Sequence, residues 1–223
     1  MAKTPPRPPP RPQAIRIAPV GLEGILGLPP EAQGIVLFAH GSGSSRLSPR
    51  NTRVADVLQR AGFATLLFDL LTVEEAADRA RVFDIPLLSE RLDMAADWVR
   101  GAETTKDLPI GLFGASTGAA AALVAAAQLG EAIGAVVSRG GRPDLAGEDV
   151  LDRVKAPTLL IVGGTDWQVL DLNRAAFARL RCEKDLQVVP GASHLFEEEG
   201  ALDAVVELAR QWFARHLRRA ATP

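Results

Sequence analysis

Runs of apolar residues alternate along the chain with segments in which apolar positions recur every three or four residues. The apolar runs are typical of strands buried on both faces of a sheet, and the spaced pattern is typical of amphipathic helices. Strands are predicted at 34–40, 63–69, 108–113, 132–138, 156–164 and 186–190, and helices at about 50–61, 89–101, after Ser116, at 171–181 and at 200–217. This alternation indicates an α/β fold with a mostly parallel sheet and helices on both of its faces.

Three local features refine this pattern. The segments AIRIAPV and LEGILGL, joined near Gly21, are predicted to form an antiparallel N-terminal hairpin. Ser89, at the start of SERLDMAADWVRG, is the expected N-cap of that helix. The short connection between the strands at 132–138 and 156–164 leaves no room for a large lid domain.

The chain has 223 residues, of which 47% are hydrophobic, which is enough for one α/β domain with a sizeable core. We assign this domain to residues 14–219. Residues 1–13, MAKTPPRPPPRPQ, are proline-rich and basic and favour extended polyproline II. We expect a disordered tail there, with a ligand for an aromatic-lined peptide-binding domain as the alternative.

Charge and cysteine content narrow the possible partners and the compartment. The formal net charge of −2 argues against a broad basic surface for nucleic acid. The single cysteine, Cys182, forms no internal disulfide, which favours a reducing compartment. We find neither a signal-peptide core nor a run of the ~18 apolar residues that a membrane span requires. We therefore expect a cytoplasmic protein, a monomer or small homo-oligomer, that acts on a small molecule.

The segment GASTG, residues 114–118, carries the first candidate chemistry. It matches G-x-S-x-G and lies directly between a buried-strand pattern and a helix pattern, which is the setting of a nucleophile elbow. Small residues around Ser116 remove bulk that would collide with the neighbouring strand or helix. The alternative is a glycine-rich packing turn whose serine only caps the helix.

A nucleophilic serine needs a base, and the base needs an acid that fixes its tautomer. Asp166 follows the strand at 156–164, and His194 follows the last strand, so both lie where a triad requires them. Taken alone, Asp166 fits a helix N-cap or turn residue and His194 a surface loop residue. Of the other two histidines, His40 is expected to brace its loop through a hydrogen bond, and His216 to be solvated near a helix end.

An oxyanion hole requires two backbone N–H donors. The first is predicted to be Thr117, the residue after the nucleophile, at the start of its helix. The second is predicted to be Ser42 in the loop HGSGSSR, with Gly43 as the alternative one position later. No cluster with zinc-ligand spacing is visible, so no metal is expected.

The segments HGSGSSR, GASTG, GGTDWQV and GASHLF, in this order and spacing, resemble the α/β-hydrolase fold and specifically its dienelactone hydrolase-like group. The resemblance covers about residues 15–217. It implies Ser116 as nucleophile, Asp166 as acid, His194 as base, no cofactor, and hydrolysis of esters. The sequence departs from the dienelactone hydrolases proper, which have a cysteine nucleophile, and this puts dienelactone as substrate in doubt.

Two other classes of function compete with a hydrolase. The strand, glycine-rich loop and following strand that ends in Asp69 resemble a dinucleotide site, but Arg46 replaces the third glycine of the fingerprint. A non-catalytic binding module on a hydrolase scaffold is the second alternative, because a fold does not fix function.

The long segment 70–88 is expected to line one side of an open site that suits small or flexible esters. Its apolar candidates for substrate contact are Val82, Phe83 and Ile85. Arginines recur on the predicted catalytic edge, at positions 46, 79, 81, 139 and 142. Arg139 is expected to contact an anionic group of the substrate through its guanidinium, and ordinary pairing with nearby acids is the alternative for all five.

Overall fold

A computed structural model of the protein describes residues 11–217. Its centre is a single sheet of eight strands. The strands are β1 Gln13–Ile17, β2 Leu22–Gly27, β3 Ile35–Ala39, β4 Ala64–Phe68, β5 Ile110–Ala115, β6 Ile133–Arg139, β7 Thr158–Gly163 and β8 Lys184–Val189. The spatial order is β1-β2-β4-β3-β5-β6-β7-β8. The predicted α/β fold with an N-terminal hairpin is confirmed.

Strand direction divides the sheet into two parts. β1 pairs with β2, and β2 with β4, in antiparallel register, whereas every pair from β4 to β8 is parallel. Strands β3, β4, β5 and β7 are buried along their whole length, as continuous apolar runs between two helical layers should be. The carboxyl ends of β3 to β8 consequently lie along one edge, where loops from distant parts of the chain meet.

Helices cover both faces of the sheet. They are α1 Pro49–Arg60, α2 Val73–Ala76, α3 Arg79–Val82, α4 Ile85–Gly101, α5 Thr117–Leu129, α6 Glu148–Leu151, α7 Trp167–Arg179 and α8 Ala201–His216. Helices α1 and α8 pack on one face, in a core cluster with Phe38, Phe113 and Val137. Helices α4 and α5 pack on the other face, with Leu37, Leu112 and Val136. Within residues 11–217, no helix has the length and apolarity needed to cross a membrane.

The predicted start of α4 was wrong. The helix begins one turn before the expected cap, at Ile85, because the Asp84 side chain accepts the Leu87 N–H and Pro86 fits the first turn. Ser89 lies inside the helix, is fully buried, and donates its hydroxyl hydrogen to the Gln128 side chain.

The segment 70–88 is not one irregular loop, because α2 and α3 lie within it. Thr72 and Glu75 form a capping box that begins α2. The predicted tail lies outside the described residues apart from 11–13, and β1 already begins at Gln13. The division of the chain into a tail and one domain at 14–219 therefore stays a prediction.

Candidate active site

Ser116 lies on a strained turn between the end of β5 and the start of α5. Its backbone has φ 52° and ψ −120°, a left-handed conformation that costs a non-glycine residue about 1–3 kcal/mol. Three backbone hydrogen bonds hold the turn: the Ser116 N–H donates to the Arg139 carbonyl at 3.2 Å, and the Ser116 carbonyl accepts the N–H groups of Ala119 and Arg142, both at 3.1 Å. This geometry lifts the serine side chain above the sheet edge, as a nucleophile elbow requires.

The glycines two residues on either side of Ser116 allow the turn to form. A Cβ at Gly114 would lie 2.4 Å from the Ala119 Cα, and a Cβ at Gly118 would lie 2.3 Å from the Ala39 carbonyl oxygen. Both distances are far below van der Waals contact and involve backbone, which cannot move aside without shifting a strand. The G-x-S-x-G spacing therefore has a steric cause in this fold.

Asp166 and His194 form a close hydrogen-bonded pair. The His194 Nδ1 lies 2.7 Å from the Asp166 Oδ2, and the carboxylate is the more enclosed of the two side chains. Asp166 occupies the N-cap position of α7 but makes no side-chain capping bond, because its carboxylate faces the imidazole instead. The two loops are also joined through Thr165, whose N–H and hydroxyl both donate to the Ala192 carbonyl, at 3.0 and 2.9 Å.

The imidazole lies on the strand end next to the serine. The His194 Nδ1 and Cε1 are 3.5 Å from the Cβ position of Gly140, the residue that follows Arg139. The described residues include no hydrogen bond between the Ser116 hydroxyl and His194. Such contacts often tighten only when a substrate is bound, so the base remains a candidate on geometry.

The loop after β3 closes the other side of Ser116. A Cβ at Gly41 would lie 3.1 Å from the Ser116 Cβ, so the two backbones approach closely. The Ser42 N–H donates to the Thr117 hydroxyl at 3.0 Å. The Thr117 N–H, at the first turn of α5, has no acceptor among residues 11–217. Of the two predicted oxyanion donors, the Thr117 N–H thus has no acceptor in this part of the chain, whereas the Ser42 N–H already donates to a hydroxyl.

His40 connects two of the loops. Its Nε2 accepts the Leu70 N–H at 3.1 Å and its Nδ1 lies 3.0 Å from the Gly41 carbonyl oxygen, so the neutral ring with hydrogen on Nδ1 satisfies both contacts. Burial lowers the pKa of His40, although the Gly41 carbonyl and nearby Asp69 act in the opposite direction. This is the bracing role expected for His40 from the sequence.

A cavity of about 630 Å³ opens beside the oxyanion loop. Thr117 and the residues at 40–45 form its inner wall, and the loop after β4 together with α2 and α3 forms the rest. Val82 and Phe83 line it, as expected. Ile85 does not, because this side chain turns into the core and is only 5% exposed. The other apolar lining residues are Leu70, Leu71, Val73, Ala76, Ala77 and Leu88.

Most arginines of this edge are paired with acids or an aromatic ring. Arg46 binds Asp69 and Glu23, Arg81 lies near Glu75 and Asp78, and Arg142 makes a two-pronged contact with Asp144. Arg79 lies over the Phe83 ring, with 5.9 Å between the guanidinium carbon and the ring centre. Because Asp69 is occupied by Arg46, it is not free to hold a ribose, which removes the main support for a dinucleotide site.

Two side chains are more buried than expected. Arg139 is the last residue of β6 and only 7% exposed, and no acid pairs with it among residues 11–217. The His216 side chain is 9% exposed, contrary to the expected solvated position, because its ring packs against Trp212 with 4.3 Å between centres. Within the described range, no three His, Cys, Asp or Glu side chains are grouped as ligands for a metal ion.

Gly118→Ala should destabilise the fold by about 1–3 kcal/mol, because the new methyl group would press on the Ala39 and His40 carbonyls. Thermal unfolding would show a fall of about 2–4 °C per kcal/mol. Gly101→Ala is the matched control, since open space surrounds that position. Equal melting temperatures for the two variants would contradict the steric role of Gly118.

His40 should make the unfolding free energy depend on pH. In the folded state the pKa of His40 is lower than the 6.5 of an unperturbed histidine. Between the folded-state pKa and 6.5, only the unfolded chain takes up the proton. Stability should therefore fall as the pH drops below about 6.5, by at most about 1.4 kcal/mol per unit. Denaturant titrations of His40→Gln, which retains an acceptor without titrating, should show a flatter profile. The contribution of His216 is measured separately with His216→Gln, which should also flatten the profile because burial lowers the pKa of His216 in the same direction. An unchanged slope in His40→Gln would contradict the assignment.

Comparisons with known proteins agree with this architecture. Residues 32–218 match a family model described as an alpha/beta hydrolase domain. A dienelactone hydrolase of Anabaena variabilis has a crystal structure with 56% sequence identity and a TM-score of 0.89, covering 93% of this chain and 100% of that chain. Est1E from Butyrivibrio proteoclasticus shares the fold with a TM-score of 0.77 at 18% identity, covering 91% of this chain and 98% of its own.

The curated relatives carry a different name. Two proteins of Mycobacterium tuberculosis, strains CDC 1551 and H37Rv, are each called "Putative phosphoribosyl transferase" and are 58% identical over 212 residues. The match covers 94% of this chain, which spans only 48% of the length of those relatives. From the family model, the structural relative and the sheet order together, the chain belongs to the α/β-hydrolase family, in its dienelactone hydrolase-like group.

Proposed function

We propose that this protein hydrolyses small carboxylic esters, including lactones or thioesters, by two-step acyl transfer through Ser116, His194 and Asp166. The observation that carries the proposal is the 2.7 Å contact between His194 and Asp166, on strand ends next to a serine held in an elbow conformation. A largely enclosed carboxylate that fixes one imidazole nitrogen leaves the other free to take a proton. The hydrolase fold and its esterase neighbours support the general class of reaction.

The proposed reaction begins with attack of the Ser116 oxygen on the ester carbonyl carbon, while His194 Nε2 takes the hydroxyl proton. The tetrahedral intermediate collapses, the bond to the alcohol oxygen breaks, and His194 returns the proton to the departing alcohol. Water then attacks the acyl-enzyme with His194 again as base, and the acid leaves with Ser116 restored. Asp166 keeps its negative charge throughout and stabilises the imidazolium.

The developing oxyanion would be bound by the N–H of Thr117 and by that of Ser42, with Gly43 as the alternative second donor. The Ser42 N–H, which now donates to the neutral Thr117 hydroxyl at 3.0 Å, would exchange that acceptor for a charged oxygen. Hydrogen bonds to charged acceptors are roughly twice as strong as neutral ones, so the exchange favours the intermediate over the substrate. Positive charge at the start of α5 acts in the same direction.

The cavity beside the oxyanion loop would hold the acyl group. His194 must reach the departing alcohol, so the alcohol lies on the His194 side of the scissile bond. Thr117 and Ser42 line the cavity, whereas His194 does not. Because the alcohol lies beside His194, the acyl group is the part of the ester that enters the cavity. Leu70, Leu71 and Phe83 make this site suited to apolar acyl chains.

Phosphoribosyl transfer, the activity named for the Mycobacterium tuberculosis relatives, is not our proposal for this chain. Those proteins are about twice as long as the part that matches, since this chain spans 48% of their length. The matching part carries the hydrolase fold, with the serine, aspartate and histidine after β5, β7 and β8 along one edge of the sheet. A non-catalytic binding module remains the competing hypothesis, and it predicts an unreactive Ser116.

A fluorophosphonate probe should modify Ser116 alone, because it needs only an activated serine and no knowledge of the substrate. Intact-mass analysis followed by peptide mapping measures the adduct. Ser116→Ala should abolish it, and His194→Ala should slow its formation by several orders of magnitude. A folded protein that forms no adduct, or an adduct unaffected by His194→Ala, would favour the binding module instead.

The value of kcat/KM should rise from 4-nitrophenyl acetate through butyrate to hexanoate, by up to about fourfold per methylene buried in the cavity. Phe83→Ala should remove much of this rise, because the ring lines the cavity and is 45% exposed to an incoming group. Leu47→Ala is the control: this exposed side chain lies on the same edge but outside the lining. A chain-length profile unchanged in Phe83→Ala would place the acyl group elsewhere.

A further inference from the structure

Arg139 is a buried cation without a counter-charge in the part of the chain that the structure describes. Its Nε and Nη1 are enclosed and have no hydrogen-bond partner, whereas Nη2 is not enclosed. The comparison with Arg91 is informative, because that side chain is equally buried, 6% against 7% exposed, but contacts Glu75 at 2.8 Å. An unpaired buried charge is strongly unfavourable, so a group that stabilises it must offset the cost.

A second cation, Arg50, is close enough to Arg139 for its charge to lower the pKa of that guanidinium group. Arg50, in the first turn of α1, has an enclosed Nε without a partner, and its Nη1 contacts Glu197 at 3.0 Å. Burial, and to a lesser degree the charge of Arg50, lowers the pKa of Arg139 to about 10. Arg139 therefore remains charged at neutral pH. Among residues 11–217, Glu197 is the one carboxylate that contacts either guanidinium group, which leaves an excess of positive charge here.

The position of Arg139 relates this charge to the reaction. Its carbonyl accepts the Ser116 N–H, and the next residue, Gly140, lies against the His194 ring. Because side chains alternate along a strand, Arg139 points to the same face as Val137, which is the face covered by α1 and α8. The acyl cavity lies against Leu70 and Leu88, which belong to the core cluster of the other face. The positive charge and the cavity thus lie towards opposite faces of the sheet whose edge carries Ser116.

We propose that Arg139 and Arg50 form an anion subsite on the leaving-group side of Ser116, so that the preferred substrates are esters whose alcohol carries a carboxylate or phosphate group. This inference rests on the proposed function, because the alcohol must lie beside His194 to receive its proton. A guanidinium group binds both kinds of oxyanion through paired N–H donors, and the anion supplies the counter-charge that no residue of 11–217 provides for Arg139. The acyl part of the same ester occupies the apolar cavity.

Matched esters of one acid test the subsite: 4-butyryloxybenzoate, 4-butyryloxyphenyl phosphate and the neutral 4-butyryloxybenzamide. The wild-type protein should prefer the anionic esters. Arg139→Met should reduce the ratio of kcat/KM for anionic over neutral ester by about tenfold to a hundredfold. The benzoate and the phosphate show which oxyanion is preferred. Arg153→Met changes an exposed cation shortly before the start of β7, at the sheet edge opposite Ser116, and should leave the ratio unchanged.

Three results would overturn the proposal. Equal losses for all three esters would mean that Arg139 only supports the fold of the site. An unchanged ratio would mean that no anion binds there. A fourth ester, mono-4-nitrophenyl glutarate, carries its charge on the acyl group. If Arg139→Met reduced kcat/KM for this ester alone, Arg139 would bind an anion on the acyl group and not on the alcohol.

Binding without turnover separates this inference from the proposed function. In Ser116→Ala, inorganic phosphate at constant ionic strength should raise the melting temperature, and Arg139→Met in that background should abolish the rise. The double variant should remain folded, because removal of an unpaired buried charge does not destabilise the core. If the wild-type protein hydrolyses none of the esters, ester hydrolysis is the wrong function, and the phosphate effect alone decides on the anion site. A rise that is equal in both variants would refute the subsite.

Discussion

The strained backbone at Ser116 is the constraint on which the arrangement of the catalytic edge depends. A non-glycine residue keeps a φ of 52° only where the surrounding structure leaves no other conformation. Here β3, β6 and α5 all contact the turn. The close approach of Gly41 to Ser116 and of Gly118 to Ala39 fixes the distance between the oxyanion loop and the serine. The unfavourable local geometry is therefore stabilised by the packing of the whole parallel sheet.

Around this turn the molecule separates two chemical environments. The side towards α2 and α3 is a mostly apolar cavity, whose charged lining residues are Asp69, neutralised by Arg46, and Arg79, which lies over the Phe83 ring. The side towards α1 and α8 contains Arg139 and Arg50, and within the described range Glu197 is the one acid that pairs with either of them. A substrate with one apolar and one anionic end would match this asymmetry, and its orientation would follow from the same charges. Electrostatic complementarity of this kind determines specificity more than affinity.

The sequence was sufficient for the strands, for their mostly parallel direction and for the steric role of GASTG, because each depends on a short pattern. The earlier start of α4 was also visible locally, since Asp84 and Pro86 form a cap and first turn that outweigh Ser89. The burial of Arg139 and of His216 was not predictable, because it depends on packing between segments far apart in the chain. For the same reason the occupation of the Ser42 N–H by the Thr117 hydroxyl required the structure.

The hydrogen bonds from Thr165 to the Ala192 carbonyl couple the turns after β7 and β8 into one rigid unit. A displacement of one turn must carry the other with it, so the distance between Asp166 and His194 is insulated from motion elsewhere along the edge. Recombination between homologues would preserve the contact between the two turns only if both turns came from the same parent. Grafts that exchange the segment from β7 to the start of α8 as a single cassette should therefore retain the pair, whereas exchange of either turn alone would separate residues that have adapted to each other.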